Sequence, residues 1–380
     1  MSVTETLAEL VAIDSVSARS NGAIVDYLSA RCERAGLKVT RFPYYGDGGI
    51  EKWNLVAQTS VADSIDGKKS PAVDLALVGH TDTVPYDPSW TEATTLTERD
   101  GKLFGRGACD TKAFMAAALT AIESIDLGKL KRPLALIFTA DEEIGCLGAK
   151  RLAKLAPLSV RYAIVGEPTS LQPMRAGKGY CLAEITVRGR EAHSAYPSIG
   201  ASANFRAARL LTAIERIAGE LKKEQQAGFD PPYTTLNVGV LKGGSAKNII
   251  PGECYFTLEW RPVPNQKTGR VLRLVEDAIA DLRRDDPEFE CVINADRADE
   301  SFETPASSPL VGLMEESTGK QSGTVAFGTE APSLIQMGAE AVVFGPGDIR
   351  VAHRTGEFVP IDELHECVKV LSGAIESLCF

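Results

Sequence analysis

AVDLALVG, from Ala72 to Gly79, followed at once by HTDTVP, from His80 to Pro85, is the stretch that decides the fold. A nearly continuous apolar run reads as a strand buried in a parallel sheet. His80 and Asp82 then stand two apart, and in extended backbone residues i and i+2 share a face. Both side chains can therefore reach one cleft at the carboxyl end of the strand, where open α/β sheets bind ligands. The pair fits an imidazole metal ligand with a carboxylate helper. It fits equally a strand-end turn with a capping aspartate.

Outward from this stretch the same pattern recurs. In GRGACDTKAF, Asp110 stands just before the helical run TKAFMAAALTAIESI, as an N-cap or as a carboxylate that bridges two cations. In RPLALIFTADEEIG, the strand Leu134–Thr139 ends in Asp141, Glu142 and Glu143. Such acids can be a solvated helix start favoured by the macrodipole, or part of the same cleft. RYAIVGEPTS delivers Glu167, and AVVFGPGDIRVAH delivers His353 after a GPG turn. Five apolar strands are thus expected to carry an Asp, Glu or His at their carboxyl ends. A mixed set of carboxylates and imidazoles suits a two-metal hydrolytic centre.

The 380 residues are more than one small core needs, so two domains are expected. Hydrophobic residues make up 44% and charged residues 24%, as in ordinary globular proteins. A net charge of −10 argues against nucleic acid or an anionic membrane surface as partner. No apolar run approaches a membrane span, and the acidic start MSVTETLAEL lacks the basic region of a signal peptide. The cysteines at 32, 109, 146, 181, 254, 291, 367 and 379 are scattered singly, which fits free thiols in a reducing cytoplasm.

Helices are expected over 5–17 and 20–35, then two strands, with a polar loop, VADSIDGKKSP, before Ala72. After Glu167 the pattern changes. GYCLAEITVRG, the helix GASANFRAARLLTAIERIAGELKKEQ, YTTLNVGVLKGG, GECYFTLEWRP, the helix TGRVLRLVEDAIADLRRD and FECVINAD run β-α-β-β-α-β, the ferredoxin-like split unit. The expected architecture is α/β. A mostly parallel-sheet catalytic domain over 1–174 plus 297–380 carries an inserted ferredoxin-like α+β domain over 175–296.

HTDTVP, GRGACDTK, DEEIG, GEPTS, EAHSAYP, KNIIP and VAHRTGE, in this order, resemble the M20 metallopeptidase family over nearly the whole chain. GEPTSLQPMRAGKG, LEWRPVP and FGTEAP are most similar to the branch that deacylates N2-acetylornithine. The resemblance implies two divalent ions, zinc first and cobalt or manganese as substitutes. His80 and Glu167 would bind one ion, Glu143 and His353 the other, and Asp110 both. It further implies a cis Asp110–Thr111 bond, Glu142 as general base, and Asp82 orienting His80 through its second ring nitrogen. His193 would stabilise the oxyanion, reaching the site of a partner subunit. Asn248 and Arg261 would hold the substrate, and Glu330 would meet a cationic side chain. The implied partners are a small N-acyl amino acid and a second copy of the chain, paired through a lid at 175–296.

Desuccinylation of succinyl-diaminopimelate, deacetylation of N-acetylcitrulline and other aminoacylase or carboxypeptidase activities stay open within the family. Outside it, a non-catalytic protein on the same fold would be expected to have lost at least one of these groups. A serine hydrolase would show GxSxG, which is absent. A cysteine hydrolase built on Cys109 would need an adjacent base.

Overall fold

The strand Ala72–His80 is buried along most of its length because it lies in the middle of a sheet. It pairs in parallel with Leu134–Thr139 on one side and with Ser159–Gly166 on the other, and Glu340–Phe344 extends the parallel set. Antiparallel strands Glu51–Gln58 and Lys38–Tyr45 continue the sheet beyond Leu134–Thr139. The sheet is therefore mixed with a parallel centre, as the apolar runs predict. The computed structural model describes residues 1–59 and 72–380; the polar loop expected at 61–71 lies outside the described residues.

Two compact units divide the chain. One comprises Met1–Ala176, Glu303–Gly323 and Thr329–Phe380; the other comprises Gly177–Phe302 and Thr324–Gly328. In the second, the antiparallel strands run in the order Thr235–Gly243, Glu253–Arg261, Tyr180–Arg188, Glu290–Asp299. Cys181, Ala183, Ile185 and Val187 alternate inward on Tyr180–Arg188. They share a core with Leu210 and Ile214 of the helix Ala203–Leu221 and with Val271 and Val275 of the helix Arg270–Asp285. This is the split β-α-β-β-α-β order.

In the first unit the helix Lys112–Glu123 is buried on every side, which is what its alanine-rich sequence permits. It packs against Ile361–Cys379 and Val3–Ala12 and crosses the Ala72–His80 strand closely. Glycines allow that approach. A Cβ at Gly166 would lie 2.2 Å from Phe114 Cδ1, and one at Gly79 would lie 3.2 Å from Met115 Cγ. The N-terminus of this helix is thereby fixed beside the carboxyl ends of the parallel strands.

Three local expectations change. The first helix spans Val3–Ala12, closed by a Ser2–Glu5 capping box, and does not reach residue 17. Residues 15–17 instead pair with Thr83, through Thr83 N–H to the Ser15 carbonyl (3.1 Å) and Ser17 N–H to the Thr83 carbonyl (3.0 Å). Asp110 does not cap the helix that follows: Thr111 occupies the N-cap position and makes no side-chain capping bond. Nor do five strands deliver the five groups. Asp110 comes from the loop between the short strand Lys102–Phe104 and the buried helix, and His353 follows the short helical turn Ile349–Val351.

Gly166→Ala is expected to lower stability by about 1–3 kcal/mol through overpacking against Phe114, read as a fall in the urea midpoint at unchanged m-value. Adding Phe114→Leu should recover part of that loss.

Candidate metal centre

Each group of the centre is set by an element end. His80 is the last residue of its strand and 1% exposed. Its Nδ1 lies 3.0 Å from the backbone carbonyl of Asp82, which leaves Nε2 directed at Asp110 Oδ1, also at 3.0 Å. The other oxygen, Asp110 Oδ2, is 3.2 Å from His353 Nε2, which in turn lies 3.0 Å from Glu143 Oε2. One carboxylate therefore presents a separate oxygen to each imidazole. The Asp110–Thr111 peptide bond is cis. His353 has φ 61°, in the left-handed region that histidine tolerates better than most residues.

Two sets of three potential ligands result: His80, Asp110 and Glu167, and Asp110, Glu143 and His353. Within each, one donor atom per residue lies within 4.8 Å of the others. Burial alone pushes carboxyl groups up, because it penalises the charged form. It lifts Glu142 to about 8, Glu330 to about 7, and Glu167 well above the usual range, with neighbouring carboxylates adding to the rise at Glu142 and Glu167. Burial also opposes charge on Asp110 and His80, yet hydrogen bonds from His353 and His80 hold the aspartate below its ordinary value, and the bond to Asp110 raises His80 above its own. The His353 bonds to Asp110 and Glu143 raise that imidazole to about 10. A pocket that crowds carboxylates this far from water, with imidazole nitrogen on both sides, fits divalent cations bound through nitrogen and oxygen.

The three consecutive acids separate by role. Asp141 is turned away by a left-handed backbone (φ 57°). It accepts from the Tyr44 hydroxyl at 2.8 Å and pairs with buried Lys52 at 2.7 Å. Asp82 stands 3.8 Å from His80 Nδ1 through its carboxylate. The carboxylate instead accepts from the Glu142 amide (3.0 Å), the Glu143 amide (3.2 Å) and the Ser17 hydroxyl (2.8 Å). The His80 ring thus meets the backbone carbonyl of Asp82 at hydrogen-bond distance and its carboxylate slightly farther out, and the Asp82 side chain also holds the Glu142–Glu143 turn. Glu142 is buried beside the Cys146 thiol, which donates to its Oε1 at 3.2 Å.

Glu330 is 1% exposed and accepts a short hydrogen bond from the Thr139 hydroxyl. Cys109 is buried, and burial with the nearby Glu357 and Asp110 charges pushes its thiol well above its ordinary value, which does not suit a nucleophile. Sequence reasoning missed Ser17, Tyr44 and Lys52, because nothing local marks a residue whose partner lies far along the chain.

His193, Asn248 and Arg261 belong to the second unit. His193 pairs with Ile249 in a two-residue ladder, and the Ser194 amide donates to the Asn248 carbonyl at 3.0 Å, so these two predicted residues are neighbours. The Ala195 amide donates to His193 Nδ1 at 3.1 Å. Arg261 is held by Glu259 at 2.9 Å and the Ala326 carbonyl at 3.1 Å, with its guanidinium over Tyr180. Arg297 stacks on that same ring at 4.5 Å. Among the described residues no helix is long and apolar enough to cross a membrane, and none of the eight cysteines forms a disulfide.

Residues 76–377 match the profile of peptidase family M20/M25/M40. Over 375 residues the chain is 52% identical to acetylornithine deacetylase of Myxococcus xanthus, covering 98% of this chain and 97% of the relative. Its fold is similar to a tripeptidase from Staphylococcus aureus, with a TM-score of 0.78 at 22% identity, covering 99% and 97% of the two chains. It is likewise similar to an M20 family metallo-carboxypeptidase from Sulfolobus solfataricus, with a TM-score of 0.75 at 20% identity and 98% coverage of both. With family signature, sheet and clustered ligand types in agreement, the chain belongs to peptidase family M20/M25/M40.

Proposed function

We propose that this protein is a two-metal amidohydrolase that removes the acetyl group from N2-acetylornithine, giving ornithine and acetate, within arginine biosynthesis. The observation that carries the chemistry is Asp110, with one oxygen toward His80 and the other toward His353. The substrate rests on the likeness to acetylornithine deacetylase over almost the full length. Desuccinylation of succinyl-diaminopimelate is the alternative within the family. We take the enzyme to work in the cytoplasm.

In this reading His80 and Glu167 hold one divalent ion, Glu143 and His353 the other, and Asp110 both, with zinc preferred and cobalt or manganese as substitutes. Bound there, the ions supply Lewis acidity that polarises the amide carbonyl and makes an attacking water acidic. Glu142 takes the proton of that water and returns it to the leaving nitrogen. Burial raises the proton affinity of its carboxyl group, which suits a residue that must take up a proton. Asp82 fixes the turn that carries both Glu142 and Glu143.

His193 supplies a hydrogen bond to the developing oxyanion. A backbone amide can only donate, so Nδ1 of His193 must be the bare nitrogen when it accepts from Ala195. Neutral His193 then carries its proton on Nε2, ready to donate. Asn248 and Arg261 bind the substrate, the guanidinium gripping its α-carboxylate, and Glu330 offers charge to its cationic side chain. The 175–296 segment serves as lid and dimerisation domain. Supporting this, the strand Thr235–Gly243 lies at a sheet edge, and Phe205 and Leu241 are 77% and 55% exposed; exposed strand edges and apolar side chains invite a partner.

Enzyme loaded with zinc should release free α-amine from N2-acetylornithine, lose that activity with a chelator, and spare N-succinyl-diaminopimelate. The reverse preference would move the substrate to the alternative. Glu142→Gln should keep both ions, by metal analysis, while kcat falls by roughly 10²–10⁴-fold; full turnover would remove Glu142 from its role. Ala195→Pro, which deletes the amide that fixes the His193 tautomer, should lower kcat by about tenfold, a part of what losing an oxyanion donor costs. Nitrogen-15 shifts of His193 in the two proteins would report the tautomer directly.

A further inference from the structure

Behind the centre stands one more buried carboxylate. Glu357 is 1% exposed. Its Oε1 accepts hydrogen bonds from two successive backbone amides, Cys109 at 2.9 Å and Asp110 at 3.0 Å. Its Oε2 lies 2.5 Å from Arg106 Nη1, and Arg106 is itself buried, reaching the Pro85 carbonyl at 3.3 Å. The main chain joins in, since the Gly105 amide donates to the Glu357 carbonyl at 3.1 Å. Residue 357 therefore grips the 105–110 loop at both ends. This matters because Asp110 lies outside the helix that follows, and Thr111 at the N-cap offers no side-chain bond.

The geometry points to Glu357 as a positioning residue for the metal centre: by capturing the Cys109 and Asp110 amides it fixes the Asp110 carboxylate with one oxygen toward each histidine. The inference rests on the reading of Asp110 as a ligand shared by two ions. Buried amides need acceptors, and an ionised acceptor makes the stronger bond. Holding one oxygen between two adjacent N–H groups also restricts rotation of the peptide units on either side of the Cys109 Cα, the second of which leads directly into the Asp110 Cα. The Arg106 guanidinium then keeps the clamp itself in place. Groups that orient metal ligands in this way typically change affinity by about 10–100-fold when removed.

The test titrates metal-free full-length protein with Co²⁺, following heat and the visible absorption of the bound ion. Glu357→Asp keeps the charge but withdraws the oxygens by one methylene, so both amides lose their acceptor. It should weaken binding of at least one Co²⁺ by about tenfold or more and alter the absorption spectrum. Glu357→Gln keeps an acceptor oxygen in place and should fall between Glu357→Asp and the parent protein. Circular dichroism and urea unfolding establish that each variant is folded; should Glu357→Asp not fold, Glu357→Gln carries the test through a spectrum shifted from the parent's. A folded Glu357→Asp that binds two Co²⁺ with parental affinity and spectrum overturns the role of Glu357 alone, as does a Glu357→Gln indistinguishable from the parent where it is the only folded variant. A parent protein that binds fewer than two Co²⁺ overturns the two-ion reading and this inference with it.

Discussion

A single carboxylate, that of Asp110, has to face two imidazoles at once, and the first unit is arranged around that requirement. His80 is fixed by the end of a buried strand and His353 by a turn after another. Asp110 must sit between them without being consumed by the helix that begins two residues later. The helix is alanine-rich and buried over nearly all its length, so it can lie directly on the sheet. Two glycines in the strands beneath open the room for Phe114 and Met115. The close crossing of helix and sheet is what brings a loop aspartate to the tips of the parallel strands.

Around that point, polar groups are arranged in pairs that prevent wrong matches. Asp141, Glu142 and Glu143 are chemically similar neighbours, and all could have entered the pocket. Asp141 is diverted by a left-handed backbone into a buried ion pair with Lys52 and a bond from Tyr44. Breaking one partner of such a pair strands a buried charge, a cost of about 3–5 kcal/mol. That cost keeps the first acid of the three out of the centre, so that the remaining two face it with distinct surroundings.

Much of this was legible in the sequence. Apolar runs that end in His80, in the 141–143 acids and in Glu167 mark strands whose tips share a cleft, because strand burial is written in local composition. The alternation at 181, 183, 185 and 187 marks a strand with one covered face in the same way. What was not legible are contacts between segments distant in the chain. Ser17 looked like the end of a helix, and only the pairing of residues 15–17 with Thr83 carries its hydroxyl to Asp82. Asp82 reads locally as the partner of His80, since the two share one face; that its carboxylate, 3.8 Å from the ring, also accepts from the Glu142 and Glu143 amides depends on a segment far along the chain. Asp110 reads locally as a helix cap or a shared metal ligand, and nothing local shows that its amide is held by Glu357, far along the chain.

The order of segments along the chain has a consequence for assembly. The first unit is interrupted: its closing segments, with Glu330, the strand Glu340–Phe344 and His353, come after the whole of Gly177–Phe302. A ribosome releases the chain from the N-terminus, and domains tend to fold as units as they emerge. His80, Asp110 and Glu167 are all made before the second unit begins, whereas the triad of Asp110, Glu143 and His353 lacks its imidazole until the last segment appears. The residues for the two halves of the centre are thus synthesised at different times, with Gly177–Phe302 of the second unit made in between.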